Sequence, residues 1–136
     1  MKAITIWQPY AEAIAMGLKN YETRTWKTQY RGKICIHASM RKLSKMHKKL
    51  ATKYKITELS LGKIVAVADL TDCYPITEAL ISRQTRTEIE LGNWQVGNFA
   101  WKLENVIIPK QCFRIKGKQG IWNLGCDTYC NFLYIR

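Results

Sequence analysis

Acidic residues are scarce in this chain. Ten Asp and Glu stand against 22 Lys and Arg over 136 residues, for a formal net charge of +12. Long apolar runs are missing too: the longest, Ile64 to Ala68, falls far short of the ~20 residues that a membrane-spanning helix needs. The start of the chain meets Gln8-Pro9 before any signal-peptide apolar region forms. There is no internal repeat, no low-complexity tract and no Pro/Gly/Ser-rich linker. The expectation is a single domain over residues 1–136, cytoplasmic, with no membrane contact. Histidine is also rare, with His37 and His47 alone. The five cysteines (Cys35, Cys73, Cys112, Cys126, Cys130) are odd in number and lack the paired spacing of a structural zinc site. A reducing compartment follows, and neither a metal nor a cofactor is expected.

What is present is an ordinary globular composition, 47% apolar and 24% charged, which disfavours disorder. The positive charge is unevenly placed. Residues 1–55 carry 13 Lys and Arg against only Glu12 and Glu22, whereas the rest of the chain is almost balanced. Such asymmetry points to a polyanionic partner. The basic excess is densest over residues 41–55, where Leu43, Met46, Leu50 and Tyr54 recur at helical spacing. Lys42, Lys45, Lys49 and Lys53 then form a ridge on another side of the same helix, a surface suited to phosphates. The alternative is a solvated basic face. The helix lacks the interleaved glutamates that usually support surface lysines. Nucleic acid fits this pattern better than a membrane, because the apolar stripe is needed to dock the helix.

Elsewhere the pattern alternates. Lys2–Trp7, Tyr21–Trp26, Lys33–Ala38, Lys63–Thr71, Asn98–Ile108, Gly120–Leu124 and Cys130–Ile135 read as strands. Ile4 and Ile6 share one face, as do Ile34, Ile36 and Ala38, and Lys63–Thr71 reads as a central strand buried on both sides. A short helix after Pro9 is stopped by Gly17, and a polar, partly helical excursion fills residues 76–92. The fold class is α+β, a mixed β-barrel, closed or nearly so, with flanking helices.

The most unusual local sequence is Gly17-Leu18-Lys19-Asn20-Tyr21-Glu22-Thr23-Arg24-Thr25-Trp26. On a strand, Glu22, Arg24 and Trp26 share one face, with Lys19 in the turn before it. Glutamate can accept from an exocyclic base amine, arginine can hold a phosphate or a base edge, and tryptophan can stack. A surface Glu22–Arg24 pair beside a core tryptophan is the plainer alternative. Trp94, in a glycine-bracketed loop, is a second stacking candidate, and Lys118 a further basic contact. Trp7 and Trp101 are expected in the core, Trp122 fits either role, and His37 reads as a hydrogen-bonded barrel histidine.

Ile6-Trp7-Gln8-Pro9-Tyr10-Ala11, Gly-x-Lys-x-x-Glu-x-Arg at 17–24, Tyr30-Arg31-Gly32 and Ile36-His37-Ala38-Ser39 occur in order. They are followed by Gly62-Lys63-Ile64-Val65, by 97–103 (Gly-Asn-Phe-Ala-Trp-Lys-Leu) and by 117–122 (Gly-Lys-Gln-Gly-Ile-Trp). This ordered set resembles the activating signal cointegrator homology (ASCH) domain over nearly the whole chain. The resemblance implies a stand-alone bacterial or phage member with a PUA-like barrel used in RNA binding. It also implies a ligand cleft lined by the 17–24 segment. The partner it implies is RNA, single-stranded nucleic acid or a nucleotide-like small molecule.

Some small relatives in that family are amidohydrolases of acetylated cytidine, with threonine where this chain has Glu22; another is described as a ribonuclease. Here the nucleophile is absent, and Thr23 and Thr25 fall on the opposite strand face. Lys19 and Glu22 are the catalytic candidates if the chain is a hydrolase, with Glu22 activating water and Lys19 donating a proton. A protein-interaction module, as the cointegrator setting allows, is a third reading. The lysine-rich half argues against it as a sole role.

Overall fold

A computed structural model describes residues 1–110 and 114–125. Its architecture grows from strands whose two alternating residue sets are both apolar. The longest strand, β4 (Ile64–Pro75), follows β1 (Lys2–Ile6), β2 (Tyr21–Arg24) and β3 (Gly32–Ala38) in the chain and precedes β5 (Phe99–Ile107) and β6 (Ile121–Asn123). These form one sheet in the order β2-β5-β4-β3-β1-β6. Among the described strands only β1 and β3 pair in parallel; the other ladders are antiparallel.

Alternation sorts the central strands onto two cores. Ile4 and Ile6 of β1 and Ile34, Ile36 and Ala38 of β3 pack with Leu70 and Trp101 on one face. Ala3, Cys35, Ile64 and Val67 pack with Trp122 and Leu124 on the other. Helix α1 (Tyr10–Ala15) lays Ala11 and Ile14 onto the first core, and its Ala13 joins a separate cluster with Ala51 and Leu91. It ends at Gly17, whose φ of +80° suits a residue without a side chain.

The sheet curls because its registers slip. β4 carries an extra residue opposite Ile36 and His37, and its pairing with β5 shifts twice more. At one of those shifts Asn105 sits at φ +51°, and its amide donates to Asp69 (2.9 Å). Bulges increase local twist and bend the strands that carry them. The result is the expected mixed α+β architecture, as a six-stranded half-barrel. Four sheet positions separate β2 from β1, yet the Arg24 guanidinium reaches across the mouth of the curl to donate to the Thr5 carbonyl (3.0 Å). The strand expected at Cys130–Ile135 lies outside the described residues, as do Cys112, Cys126 and Cys130.

Helix α2 (Lys45–Lys53) begins later than the basic run, with Ser44 as its N-cap accepting the His47 N–H (3.1 Å). Of the expected apolar stripe, Leu50 and Tyr54 pack against the cluster that holds Ala51, and Met46 is the departure. Met46 is 63% exposed, while His47 and Ala51 face inward. The cause is tertiary: the His47 ring sits edge-on to both Trp7 (6.0 Å) and Tyr10 (5.4 Å). Two short helices, α3 (Glu78–Ser82) and α4 (Arg86–Glu90), make up the 76–92 excursion, capped by Thr77 and Thr85. Among the described residues no helix is long and apolar enough to cross a membrane.

Candidate nucleic-acid interface

The turn after α1 delivers Lys19 inward. Leu18 and Lys19 both donate their backbone N–H to the Ala13 carbonyl, which folds the chain back under the helix. Lys19 ends 2% exposed, its ammonium donating to the carbonyl of Leu91 (2.6 Å), at the C-terminal end of α4. Carbonyls at helix ends lack intrahelical partners and favour a cation there. Glu22, two strand positions before Arg24, is 7% exposed and joins both cations. Its Oε2 accepts from Arg24 Nε (2.9 Å), and its Oε1 lies 3.7 Å from Lys19 Nζ. The plain alternative of a surface ion pair is thus set aside by burial.

These three side chains line a hollow of about 470 Å³. Thr5, Trp7, Tyr10 and Trp26 form more of its wall, and Gly92 and Asn93 border it from the loop after α4. Trp26 lies beyond the end of β2, 38% exposed, edge-on to the buried Trp101 ring at 4.7 Å. Trp7 departs from expectation: it is 44% exposed rather than in the core, with the Arg41 guanidinium 3.6 Å from its ring centre. Stacking of guanidinium on indole leaves an amphipathic rim suited to a base.

Trp94 departs in the opposite direction. It is 8% exposed, packed with Ile76, Leu80 and Ala100, and its indole N–H donates to the Glu88 carbonyl (2.9 Å). The chain around Trp94 borders the hollow, but its ring is structural, so stacking on a ligand by Trp94 is withdrawn. Gly92 explains the close fit. A Cβ there would lie 2.9 Å from Trp94 Nε1 and 3.3 Å from Lys19 Nζ. Thr23 and Thr25 also border the hollow, and the Thr23 hydroxyl is occupied by the Asn93 N–H (2.8 Å).

Glu88 was not visible in the sequence as part of the site. It is 3% exposed, and its carboxylate accepts the backbone N–H groups of Asn20 (2.8 Å) and Tyr21 (3.3 Å), holding the turn that carries Lys19. Burial pushes its carboxyl up, against the opposing pull of those N–H groups and Lys19. Burial likewise pulls the Lys19 ammonium below the ordinary lysine value, opposed by Glu22 and Glu88. Tyr10 is raised by burial and then by Glu22.

The basic helix backs onto this cleft through His47, behind Trp7 and Tyr10. Lys45 and Lys49 are exposed on its outer side. The other two ridge residues are corrected. Lys42 precedes the helix, and Lys53 is tied to Glu90 of α4 (2.7 Å), which also accepts from Tyr54. Lys118 lines an adjoining hollow, in the loop before β6. His37 is a satisfied barrel residue: its Nε2–H donates to the Ile115 carbonyl (2.7 Å), and its Nδ1 lies 3.1 Å from the Thr5 hydroxyl. Burial pulls its pKa down, favouring the neutral ring. Among the described residues no group of three or more His, Cys, Asp or Glu converges on a possible metal position.

The model for the ASCH domain matches residues 4–108, from within β1 to just past the end of β5. The chain belongs to the ASCH domain family. No curated protein matches it. The ASCH domain is PUA-like and is generally linked to RNA binding. In this ASCH chain the hollow presents one buried acceptor and two cations whose positions are set by main-chain partners. Lys19 Nζ is committed to Leu91 and Glu22 Oε2 to Arg24, a fixed array of the kind that recognition requires.

Proposed function

We propose that this ASCH protein binds single-stranded RNA, or a nucleotide within it, in the cleft around Lys19, Glu22 and Arg24, in a cytoplasmic setting. The observation that carries the reading is the cluster of buried Lys19 and Glu22 with the partly exposed Arg24, lining an open hollow with two exposed tryptophans, Trp7 and Trp26. Base edges present both donors and acceptors, so a site that reads them needs both signs of partner, and aromatic faces hold the rings. A bare phosphate site would have no use for Glu22. Lys45 and Lys49, with Arg41 at the rim, supply a sequence-independent attraction to the flanking backbone.

Equilibrium titration of fluorescent single-stranded RNA and DNA over a range of salt tests this. If about four phosphates are neutralised, log K falls against log[salt] with a slope of about −3. Glu22→Ala is expected to weaken binding at every salt concentration, because it removes a base contact rather than a phosphate contact. Absence of binding at low salt, or binding indifferent to Glu22→Ala and Arg24→Ala, overturns the reading.

A further inference from the structure

A second hollow of about 620 Å³ adjoins the first, and Thr5, Trp7, Arg24 and Trp26 line both. The two therefore adjoin as compartments of one cleft, with Arg24 on the wall of both. Their chemistry differs. The first contains Glu22. The second has no carboxylate among the described residues that line it, and Lys116 and Lys118 join Arg24 there.

Three further observations bear on what the second hollow would take. Lys116 and Lys118 are exposed, and among the described residues no carboxylate pairs with either. The loop that carries them is pressed onto the sheet at Gly117, where a Cβ would lie 2.6 Å from Thr5 Oγ1 and 2.7 Å from His37 Cε1. Any side chain at that point would lift the loop and its two lysines away from the cleft floor. The floor itself offers no spare charge. The Trp122 indole N–H donates to the Thr5 hydroxyl (3.1 Å), which in turn meets His37, so these groups satisfy one another. Arg24, by contrast, commits Nε to Glu22 and one Nη2 hydrogen to Thr5, leaving N–H donors unspent at the boundary between compartments.

We infer that the second hollow is a phosphate-and-nucleotide subsite, so that the cleft holds a dinucleotide step. One base lies beside Glu22, the bridging phosphate lies at Arg24, and the neighbouring nucleotide lies over Gly117 between Lys116 and Lys118. Each compartment falls within the roughly 300–1,000 Å³ typical of small-ligand sites. Trp7 and Trp26, shared by both, are placed to cover a base on either side. This inference rests on the nucleotide-binding reading above and extends it to a minimum ligand length and a direction along the cleft.

The test compares ribonucleosides with ribodinucleoside monophosphates by calorimetry or tryptophan fluorescence, using the full chain. The dinucleoside monophosphates are expected to bind at least about tenfold tighter, with a salt slope near −0.7 for the one phosphate that the nucleosides lack. Lys116→Ala/Lys118→Ala is expected to abolish most of that gain while leaving nucleoside affinity unchanged. Both positions are exposed, so folding should persist, and a urea melt checks it. Gly117→Ala is a second variant with the same expected pattern. If nucleosides bind in a Glu22-dependent way but dinucleoside monophosphates bind no tighter, or the double variant weakens both equally, the second subsite is overturned and the first stands. If neither class of ligand binds, the nucleotide reading falls, and this inference with it.

Discussion

Two positively charged regions of this protein use charge in opposite ways. Around β2, Lys19 and Glu22 are nearly inaccessible, and each charge is held by a neighbour of opposite sign or by a main-chain carbonyl. Along α2, Lys45 and Lys49 stand in water, and among the described residues only Lys53 is paired. A buried charge held at fixed distance is screened little by salt and tolerates substitution poorly. An exposed lysine is cheap to replace and acts mainly through the field that it adds. In the proposed function the first region therefore discriminates between ligands and the second captures any polyanion.

The sharpest way to break this contrast is Glu22→Ala. It leaves Lys19 buried without its nearest countercharge and is expected to destabilise the fold by about 3 kcal/mol. Affinity for single-stranded RNA should fall by about 30-fold or more, measured under conditions where a urea melt shows the variant still folded. A Glu22→Ala protein with unchanged stability would mean that the cluster is no more constrained than the helix. Next in size is Gly92→Ala, whose added methyl meets Trp94 and Lys19. Overpacking there should cost about 1–3 kcal/mol and shift the fluorescence of Trp94 as its bond to Glu88 is strained.

Glu12 sharpens the comparison from another side, as a half-buried carboxyl without the cations that Glu22 enjoys. Burial, and then the charge of Glu58, push its pKa from 4.5 up to about 7. The folded state therefore holds a proton that the unfolded state releases between those values, and this contribution to stability is lost as pH rises through that window. Glu12→Gln is expected to be more stable than the parent by about 1 kcal/mol at about pH 8, after allowance for solvent screening, and no more stable near pH 4. Equal pH profiles in urea melts would remove the assignment. The smallest effect belongs to the helix. Lys45→Ala/Lys49→Ala should leave stability within about 0.5 kcal/mol and weaken all single strands alike, with the salt slope reduced by about 0.7 for each phosphate no longer neutralised. A change in base preference with that variant would contradict the division of labour.

The strands were legible because their signal is local. The alternation of Ile4 with Ile6, and of Ile34 with Ile36 and Ala38, can be satisfied only by placing each set on one sheet face, and these residues do so. The Gly17 stop and the adjacency of Glu22 with Arg24 were legible for the same reason, since the atoms concerned lie a few bonds apart. The tryptophans were not. Trp7 and Trp94 exchanged their expected settings, because what surrounds an indole depends on which distant segments arrive beside it. Arg41 came to Trp7, whereas Ile76, Leu80 and Ala100 enclosed Trp94. On α2 the Leu50 and Tyr54 positions of the stripe hold, and the Met46 position was misplaced in the same way. Met46 is more apolar than His47, but the ring that Trp7 and Tyr10 accommodate is the histidine.

From its order of residues alone, the chain determined a strand-rich α+β fold, a strongly basic first half and a Gly-x-Lys-x-x-Glu-x-Arg segment with both signs of charge. Hydrophobic periodicity and charge count are properties of neighbouring positions, and folding does not change them. Tertiary structure alone decided that Lys19 would be held by the Leu91 carbonyl, 72 positions away, and that Arg24 would close the curl onto Thr5. It also decided that Lys118 and Trp7 would line one hollow. Those arrangements depend on bulges that bend the sheet and on a glycine that lets a loop lie against the sheet, which become contacts only when the chain has closed upon itself.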